Sequence, residues 1–274
     1  MFAHYESFDY LEKMDLSPRQ SEILLQIKQS GQVTVEPLAA QFDVSTQTIR
    51  KDLNELAQRG LVSRIHGGAM PRASIANVAY ADRRQMASSE KQLIGQLAAT
   101  LIPDNCSIML NIGTTTEQVA RALSGHSDLV VISNNVNIIN SLSGSASKEL
   151  ILAGGTVRQS DGAIVGDAAV EFISRFKADF AIIGASAMDD DGAVLDFDLR
   201  EVSVARAILR NARTRILVCD RQKFERSAPV RVCDISEIDY FVTDRLPSRE
   251  FQTACEKGGT TILTTETQDE LRRA

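Results

Sequence analysis

From about Ser88 onward the sequence alternates short apolar runs with helical patterns, and this alternation narrows the possible folds more than any other feature. The runs are SIMLNI, DLVVIS, ELILAG, DFAIIG, TRILVC, DYFVTD and TTILTT. Most are separated by stretches such as EQVARALSG and REVSVARAILRN, in which apolar residues recur at helical spacing. Near-continuous β-branched runs of this kind suit strands buried on both faces. The expected architecture is therefore α/β, a mostly parallel sheet with helices on each side.

The N-terminal quarter reads differently. Ser17, Pro18 and Gln20 fit an N-cap, a first-turn proline and the reciprocal glutamine of a capping box. Ile23, Leu24 and Ile27 share one helical face, and Gly31 is the expected stop. After a strand-like QVT, Thr34 is expected to cap a second helix, VEPLAAQFD, with Leu38, Ala39 and Phe42 on its apolar side. A third helix runs from Ser45 to Gly60 with Ile49, Leu53 and Leu56 at i, i+4 and i+7. LVSRIHGGAM then reads as two short strands about a Gly-Gly turn, the wing of a winged helix-turn-helix. Between Gly67 and about Ser88 periodicity is lost around Pro71 and Arg83-Arg84, which marks a linker. The expected divisions are an extension over 1–16, the winged helix-turn-helix over 17–72, the linker over 73–87 and the α/β domain over 88–274.

A formal net charge of −6 argues against nucleic acid unless basic residues are concentrated somewhere. They are: residues 17–72 carry seven Lys and Arg against five Asp and Glu. With the Ile49, Leu53, Leu56 stripe packed inward, Thr46, Gln47, Arg50, Lys51 and Asn54 point outward from a helix capped by Ser45. Gln47 and Arg50 are the expected base readers, and Thr48 and Lys51 the phosphate contacts. Arg64 on the wing suits a phosphate or a narrow minor groove, with His66, Gly67 and Gly68 completing the wing. No run reaches the roughly 18 to 20 apolar residues that span a bilayer, and the start MFAHYESFDYLEKMD is acidic, so a cytoplasmic protein without a membrane partner is expected. Cys106, Cys219, Cys233 and Cys255 form no C-x-x-C pair and His4, His66 and His126 lie far apart, so neither a metal nor another cofactor is expected.

The loop GTTT follows the run SIMLNI and opens a helical pattern, EQVARAL. Free N–H groups and the positive end of a helix dipole would converge there on a phosphate-sized volume, with Gly113 allowing close approach and Thr114, Thr115 and Thr116 offering hydroxyls. A helix cap alone accounts for one of the three threonines. Asn134-Asn135 and Gly154-Gly155 end two further runs, where ligands of open α/β sheets gather, although turn chemistry explains either pair singly. Asp196, Asp198 and Glu201 suit either a helix N-terminus or the hydroxyls of a polyol. Lys223 is either a point charge for a phosphate or a solvated loop lysine.

The segment SPRQSEILLQIKQSGQVTVEPLAAQFDVSTQTIRKDLNELAQRGLVSRIHGGA resembles the N-terminal signature of the DeoR family of bacterial repressors. The likeness continues through IGTTTEQVA, SNN, LAGGTVR, GAIVG and CDRQKF, covering roughly residues 17–265. The stretch DGAVLDFDLREVSVARAI resembles most closely the members that govern glycerol 3-phosphate regulons. The resemblance implies a repressor that binds double-stranded operator DNA as a homodimer or homotetramer. It also implies release by a phosphorylated effector, glycerol 3-phosphate or another sugar phosphate, held at the GTTT loop. The sensing domain resembles a fold shared with ribose-5-phosphate isomerase and glucosamine-6-phosphate deaminase. That kinship raises an alternative, an isomerase or deaminase with an appended DNA domain, in which Glu201 or an aspartate is the base and Lys223 its helper. Where the isomerases carry a D-G-A-D-E type run this chain reads GASAMDDDGA, so a regulator rather than an enzyme is expected.

Overall fold

The computed structural model describes residues 16–30, 33–59, 61–65, 67–71, 80–144 and 147–266. The chain divides into two compact units, Met1–Ser74 and Ile75–Ala274.

The first unit contains α1 (Pro18–Ser30), β1 (Val33–Thr34), α2 (Val35–Gln41), α3 (Thr46–Gln58), β2 (Val62–Ile65) and β3 (Gly68–Pro71). The reciprocal cap forms as the sequence predicts: the Gln20 N–H donates to Ser17 Oγ at 3.2 Å and the Ser17 N–H to Gln20 Oε1 at 3.1 Å. Ile23, Ile27, Ile49, Leu53 and Leu56 are fully buried in one core with Val35, Leu38 and Val62. β3 runs antiparallel to both β1 and β2, so the QVT run supplies a third strand to the wing sheet. Thr34 precedes α2 without a side-chain cap and instead pairs its backbone with Gly68, a departure from its expected role. The expected stops at Gly31 and Gly60 lie outside the described residues.

The second unit is built on seven strands: β4 (Ser107–Leu110), β5 (Leu129–Ser133), β6 (Lys148–Leu152), β9 (Ala178–Ile183), β12 (Ala212–Val218), β14 (Tyr240–Thr243) and β15 (Thr261–Thr264). They coincide with the seven apolar runs. Their order is β15-β14-β12-β9-β4-β5-β6, and every pairing is parallel. Successive strand residues alternate between two layers, which is why the runs are apolar throughout. Ile108, Leu110, Ile182, Ile216, Val218 and Val242 pack with residues of α5 (Ser88–Ala99), α6 (Thr114–Ala122) and α7 (Val136–Leu142). Met109, Ala181, Ile183, Leu217 and Phe241 pack with residues of α8 (Asp167–Ile173), α9 (Leu199–Arg210) and α10 (Arg249–Gly258). Two small antiparallel sheets, β7 (Val157–Arg158) with β8 (Ala163–Ile164) and β10 (Ala187–Met188) with β11 (Ala193–Asp196) and β13 (Val230–Asp234), lie outside the run pattern.

From β4 the chain proceeds outward to β5 and β6, then returns to place β9 on the other side of β4 and continues to β12, β14 and β15. The strand order therefore reverses between β4 and β9, the position at which open α/β sheets part to form a crevice.

One element falls where no periodicity was expected: α4 (Tyr80–Gln85), in the stretch read as linker. Its sequence, YADRRQ, has no apolar stripe, and six residues are too few for a helix to persist on propensity alone. Tertiary bonds hold it. The Tyr80 hydroxyl donates to Glu117 Oε1 at 2.6 Å and accepts from Asn137 Nδ2 at 3.0 Å. Lys91 Nζ donates to the carbonyls of Arg83 and Met86 at 2.5 and 2.6 Å, a cation at a helix C-terminus.

α5 and α6 approach so closely that a Cβ on Gly95 would lie 2.7 Å from the Gln118 carbonyl carbon. Helix propensity alone favours alanine over glycine by ~1 kcal/mol. The backbone clash opposes this, and overpacking of this kind costs ~1 to 3 kcal/mol. Gly95→Ala is therefore expected to lower the urea midpoint of the second unit; a raised midpoint would show that α5 and α6 can separate freely.

Candidate functional site

The surface expected to read DNA is formed by α3 and the wing. The Thr48 N–H donates to Ser45 Oγ at 3.1 Å, closing the cap. Thr46, Gln47, Arg50, Lys51 and Asn54 are exposed, opposite the buried Ile49, Leu53 and Leu56. Thr48 is half-buried and its hydroxyl lies 2.9 Å from that of Ser45, so it belongs to the cap as well as to the outer face. Sequence reasoning missed what steadies this helix. Arg19 Nε donates to Asp52 Oδ2 at 2.6 Å, and Gln20 Nε2 to Glu55 Oε2 at 2.7 Å. Two carboxylates of α3 are thus engaged by α1, with Asp52 buried. Arg64 is exposed on β2 and Gly67 exposed at the turn, whereas Gly68 is buried within β3. His66 lies outside the described residues.

In the second unit, the loops leaving β4 and β9 border one cleft. Asn111, Ile112, Gly113, Thr114 and Thr115 line it after β4, and Gly184, Ala185 and Ser186 after β9. Gly113 has φ +144°, a conformation that L side chains rarely adopt, and it brings the chain directly into α6. Thr116 is fully buried and donates to the Gly113 carbonyl at 2.8 Å, so its hydroxyl braces the loop while Thr114 and Thr115 line the cleft.

Asn135, Asp196, Glu201 and Lys223, all expected from sequence, line the same cleft. Lys223 is buried, so it is not a solvated loop lysine. Other expected residues lie off the lining. Asn134 is fully buried and donates from Nδ2 to the Ile164 carbonyl at 3.0 Å. Gly154 and Gly155 are exposed. Asp198 caps α9 through the Arg200 N–H at 2.9 Å and pairs with the Arg200 side chain at 2.7 Å.

Tyr80, Arg83, Asn111, Asp161 and Ser186 complete the lining and were not anticipated. Nor was Arg158, whose Nη2 lies 2.6 Å from both Asp161 Oδ2 and Glu201 Oε1. It is the last residue of LAGGTVR, and its place depends on the β7–β8 hairpin. Its guanidinium is held cationic by the Asp161 hydrogen bond first and by Glu201.

Burial dominates the ionisation of the cleft. It raises Asp196, against the pull of the Phe197 N–H, the Ser186 hydroxyl and the charges of Arg83 and Lys223. It also raises Glu201, and the neighbouring charge of Asp196 adds to this while Arg158 opposes it. Lys223 is lowered to about 8 by burial, against the stabilising charge of Asp220. A helix N-terminus and a buried lysine on one side suit an anion, while the carboxylates suit hydroxyl donors. Among the described residues no group of three or more His, Cys, Asp and Glu is placed to hold a metal ion.

Comparisons with known proteins bear on both units. A family model described as the DeoR-like helix-turn-helix domain matches residues 19–73, and one described as the DeoR C terminal sensor domain matches residues 86–245. The chain is 45% identical over 234 residues to the glycerol-3-phosphate regulon repressor of Haemophilus influenzae, covering 85% of this chain and 91% of that one. It is 44% identical to the glycerol-3-phosphate regulon repressor of Escherichia coli, covering 85% and 93%. Among solved structures, ribose 5-phosphate isomerase from Plasmodium falciparum overlays 52% of this chain and 53% of its own at a TM-score of 0.37, with 13% identity. That partial overlay bears on neither chemistry nor ligand. Two matched domains in this order and close relatives aligned over most of both chains place this protein in the DeoR family, as a DNA-binding transcriptional repressor rather than an enzyme.

Proposed function

We propose that this repressor governs a glycerol catabolic regulon and is released from its operator by glycerol 3-phosphate bound in the cleft between the ends of β4 and β9. The observation that carries the reading is the N-terminus of α6 opening into that cleft beside the buried Lys223. The phosphate sits on the Gly113, Thr114 and Thr115 loop with Lys223 as its counter-charge, and Asp196 and Glu201 accept from the hydroxyls. The likeness to the glycerol-3-phosphate regulon repressors of Haemophilus influenzae and Escherichia coli supports this choice of phosphate. Residues 17–72 read the operator and 88–274 sense the effector, and the intervening 73–87 connect them while Tyr80 and Arg83 within that stretch line the cleft.

The protein acts in the cytoplasm as a homodimer or homotetramer, because a two-fold arrangement of recognition helices matches a two-fold operator. Consistent with this, no helix among the described residues is long and apolar enough to cross a membrane. Release from DNA needs a coupling of only ~1 to 3 kcal/mol.

Thermal unfolding with a panel of sugar phosphates tests the ligand. Glycerol 3-phosphate at ~100 times its dissociation constant is expected to stabilise the sensing unit by ~2.7 kcal/mol, and Thr115→Ala to abolish the shift. A shift with a different phosphate alone replaces the ligand and keeps the cleft.

The lysine supplies a pH signature. Lys223, lowered to about 8 by burial, loses its charge as pH rises from 7 to 9, while the phosphate is already doubly ionised above its second pKa of ~6. Effector affinity is expected to fall about tenfold over this interval, and Lys223→Ala to flatten the profile. An unaltered profile in the variant rules out the lysine as the counter-charge.

On the DNA side, Arg50→Ala is expected to cost ~1 to 3 kcal/mol at the operator and to relax sequence preference, as loss of a base contact does. Lys51→Ala is expected to weaken all sequences alike and to reduce the salt slope by about 1. Gel-shift titrations separate the two, and no effect from either overturns the assignment of α3.

A further inference from the structure

Two buried polar atoms on the cleft lining have no hydrogen-bond partner: Nε of Arg83 and Oδ1 of Asn111. One is a donor and the other an acceptor. Asn111 is only 5% exposed, and it lines the cleft. A buried polar group left unpaired costs ~1 to 3 kcal/mol, so such atoms at a cleft are groups that a ligand completes. Together they ask for a molecule with an anionic or carbonyl oxygen for Arg83 and a hydroxyl for Asn111.

Arg83 does not come from the sheet. It stands on α4, whose last turn is fastened to the sensing unit by Lys91 and whose first residue is fastened by Tyr80 to Glu117 in the first turn of α6. Tyr80 lines the cleft as well. Its hydroxyl is pushed up to about 12 by burial and by the Glu117 bond, so it stays a donor at physiological pH. The inner part of the cleft, where a water-sized sphere fits, is about 30 Å³, and its mouth is open to solvent. A phosphorylated triol seated against Arg83 and Asn111 presses on these walls. The loops after β4 and β9 are anchored in the parallel sheet, whereas α4 is a six-residue helix held by side chains.

We propose that Arg83 is an effector-binding residue and that α4 is the wall which re-seats when the effector enters, passing occupancy to the chain segment that joins the two units. The inference rests on the reading of the cleft as the effector site. The guanidinium takes an oxygen of the phosphorylated ligand through its free Nε, and Asn111 accepts from a hydroxyl. α4 directly follows residues 72–79 in the sequence, so this reading needs no signal to cross the sheet.

The test uses the full chain, calorimetric titration with glycerol 3-phosphate, and anisotropy on a duplex that the unmodified protein selects from random-sequence DNA. Arg83→Ala is expected to weaken glycerol 3-phosphate about tenfold or more, the loss of one hydrogen bond to a charged group. It is also expected to keep effector-free DNA affinity, which shows that the variant is folded, and to diminish the release of DNA at saturating effector. Arg84→Ala removes the same charge from the exposed side of α4, where Arg84 lies 5.9 Å from the Tyr80 ring, and is expected to leave effector affinity unchanged. Arg83→Ala with unmodified effector affinity and full release overturns the proposal. If Thr115→Ala alone abolishes binding, the cleft reading survives that failure; if Thr115→Ala also binds normally, the effector lies elsewhere and both fall.

Discussion

The reversal of strand order between β4 and β9 is the constraint on which the sensing unit depends. Crossovers of one hand that travel in opposite directions place α6 and α7 on one face of the sheet and α9 on the other, so the loops at the reversal diverge. At the reversal, polar groups face an enclosed space: the first turn of α6, two carboxylates raised by burial and a lysine lowered by it. Both kinds of shift mean that burial penalises the charged forms. An anion beside the lysine and hydroxyls beside the carboxylates offset part of that penalty, so the same burial favours a ligand of mixed character.

The DNA-reading unit solves a different electrostatic problem. As the proposed reading helix, α3 presents cations and amides to a polyanion, yet it carries Asp52 and Glu55 among them. Phosphate contacts dominate affinity for DNA, so free carboxylates on this helix would oppose it. Arg19 and Gln20 of α1 engage both, and the bonds also fix the angle between α1 and α3. The residue that completes the N-terminal cap of α1, Gln20, thus reaches the recognition helix from the same side chain. Local helix initiation and the seating of the reading surface are coupled through one amide.

Much of this was legible in the sequence because the governing patterns are local. A parallel strand buried on both faces needs a continuous apolar run, and all seven strands of the sheet announced themselves that way. The cap of α3 and the tight loop entering α6 were legible for the same reason, since a cap and the turn into a helix are set within four residues. What was not legible depends on contacts distant in sequence. SNN and LAGG mark strand ends, but only the β7–β8 hairpin decides that Asn135 faces the cleft while Asn134 turns to Ile164 and the glycines stay at the surface. Arg158 and Asp161 reach the cleft through that hairpin too. The third threonine was read as a ligand group because composition cannot tell a hydroxyl aimed at solvent from one donating back to Gly113.

The short helix α4 escaped every periodicity rule, and the reason explains what it can do. Nucleating a helix fixes several dihedrals for one hydrogen bond, so a six-residue segment with no apolar stripe has no stability of its own. Its conformation is set by a tyrosine bonded to Glu117 and Asn137 and by a lysine bonded to its terminal carbonyls. Each such bond contributes ~1 to 3 kcal/mol at most, which is the range of a typical allosteric coupling energy. An element packed into the apolar layers could not be displaced by so small a term. A segment held by a few polar bonds can be, and a sequence that reads as linker is what such an element looks like before its partners are known.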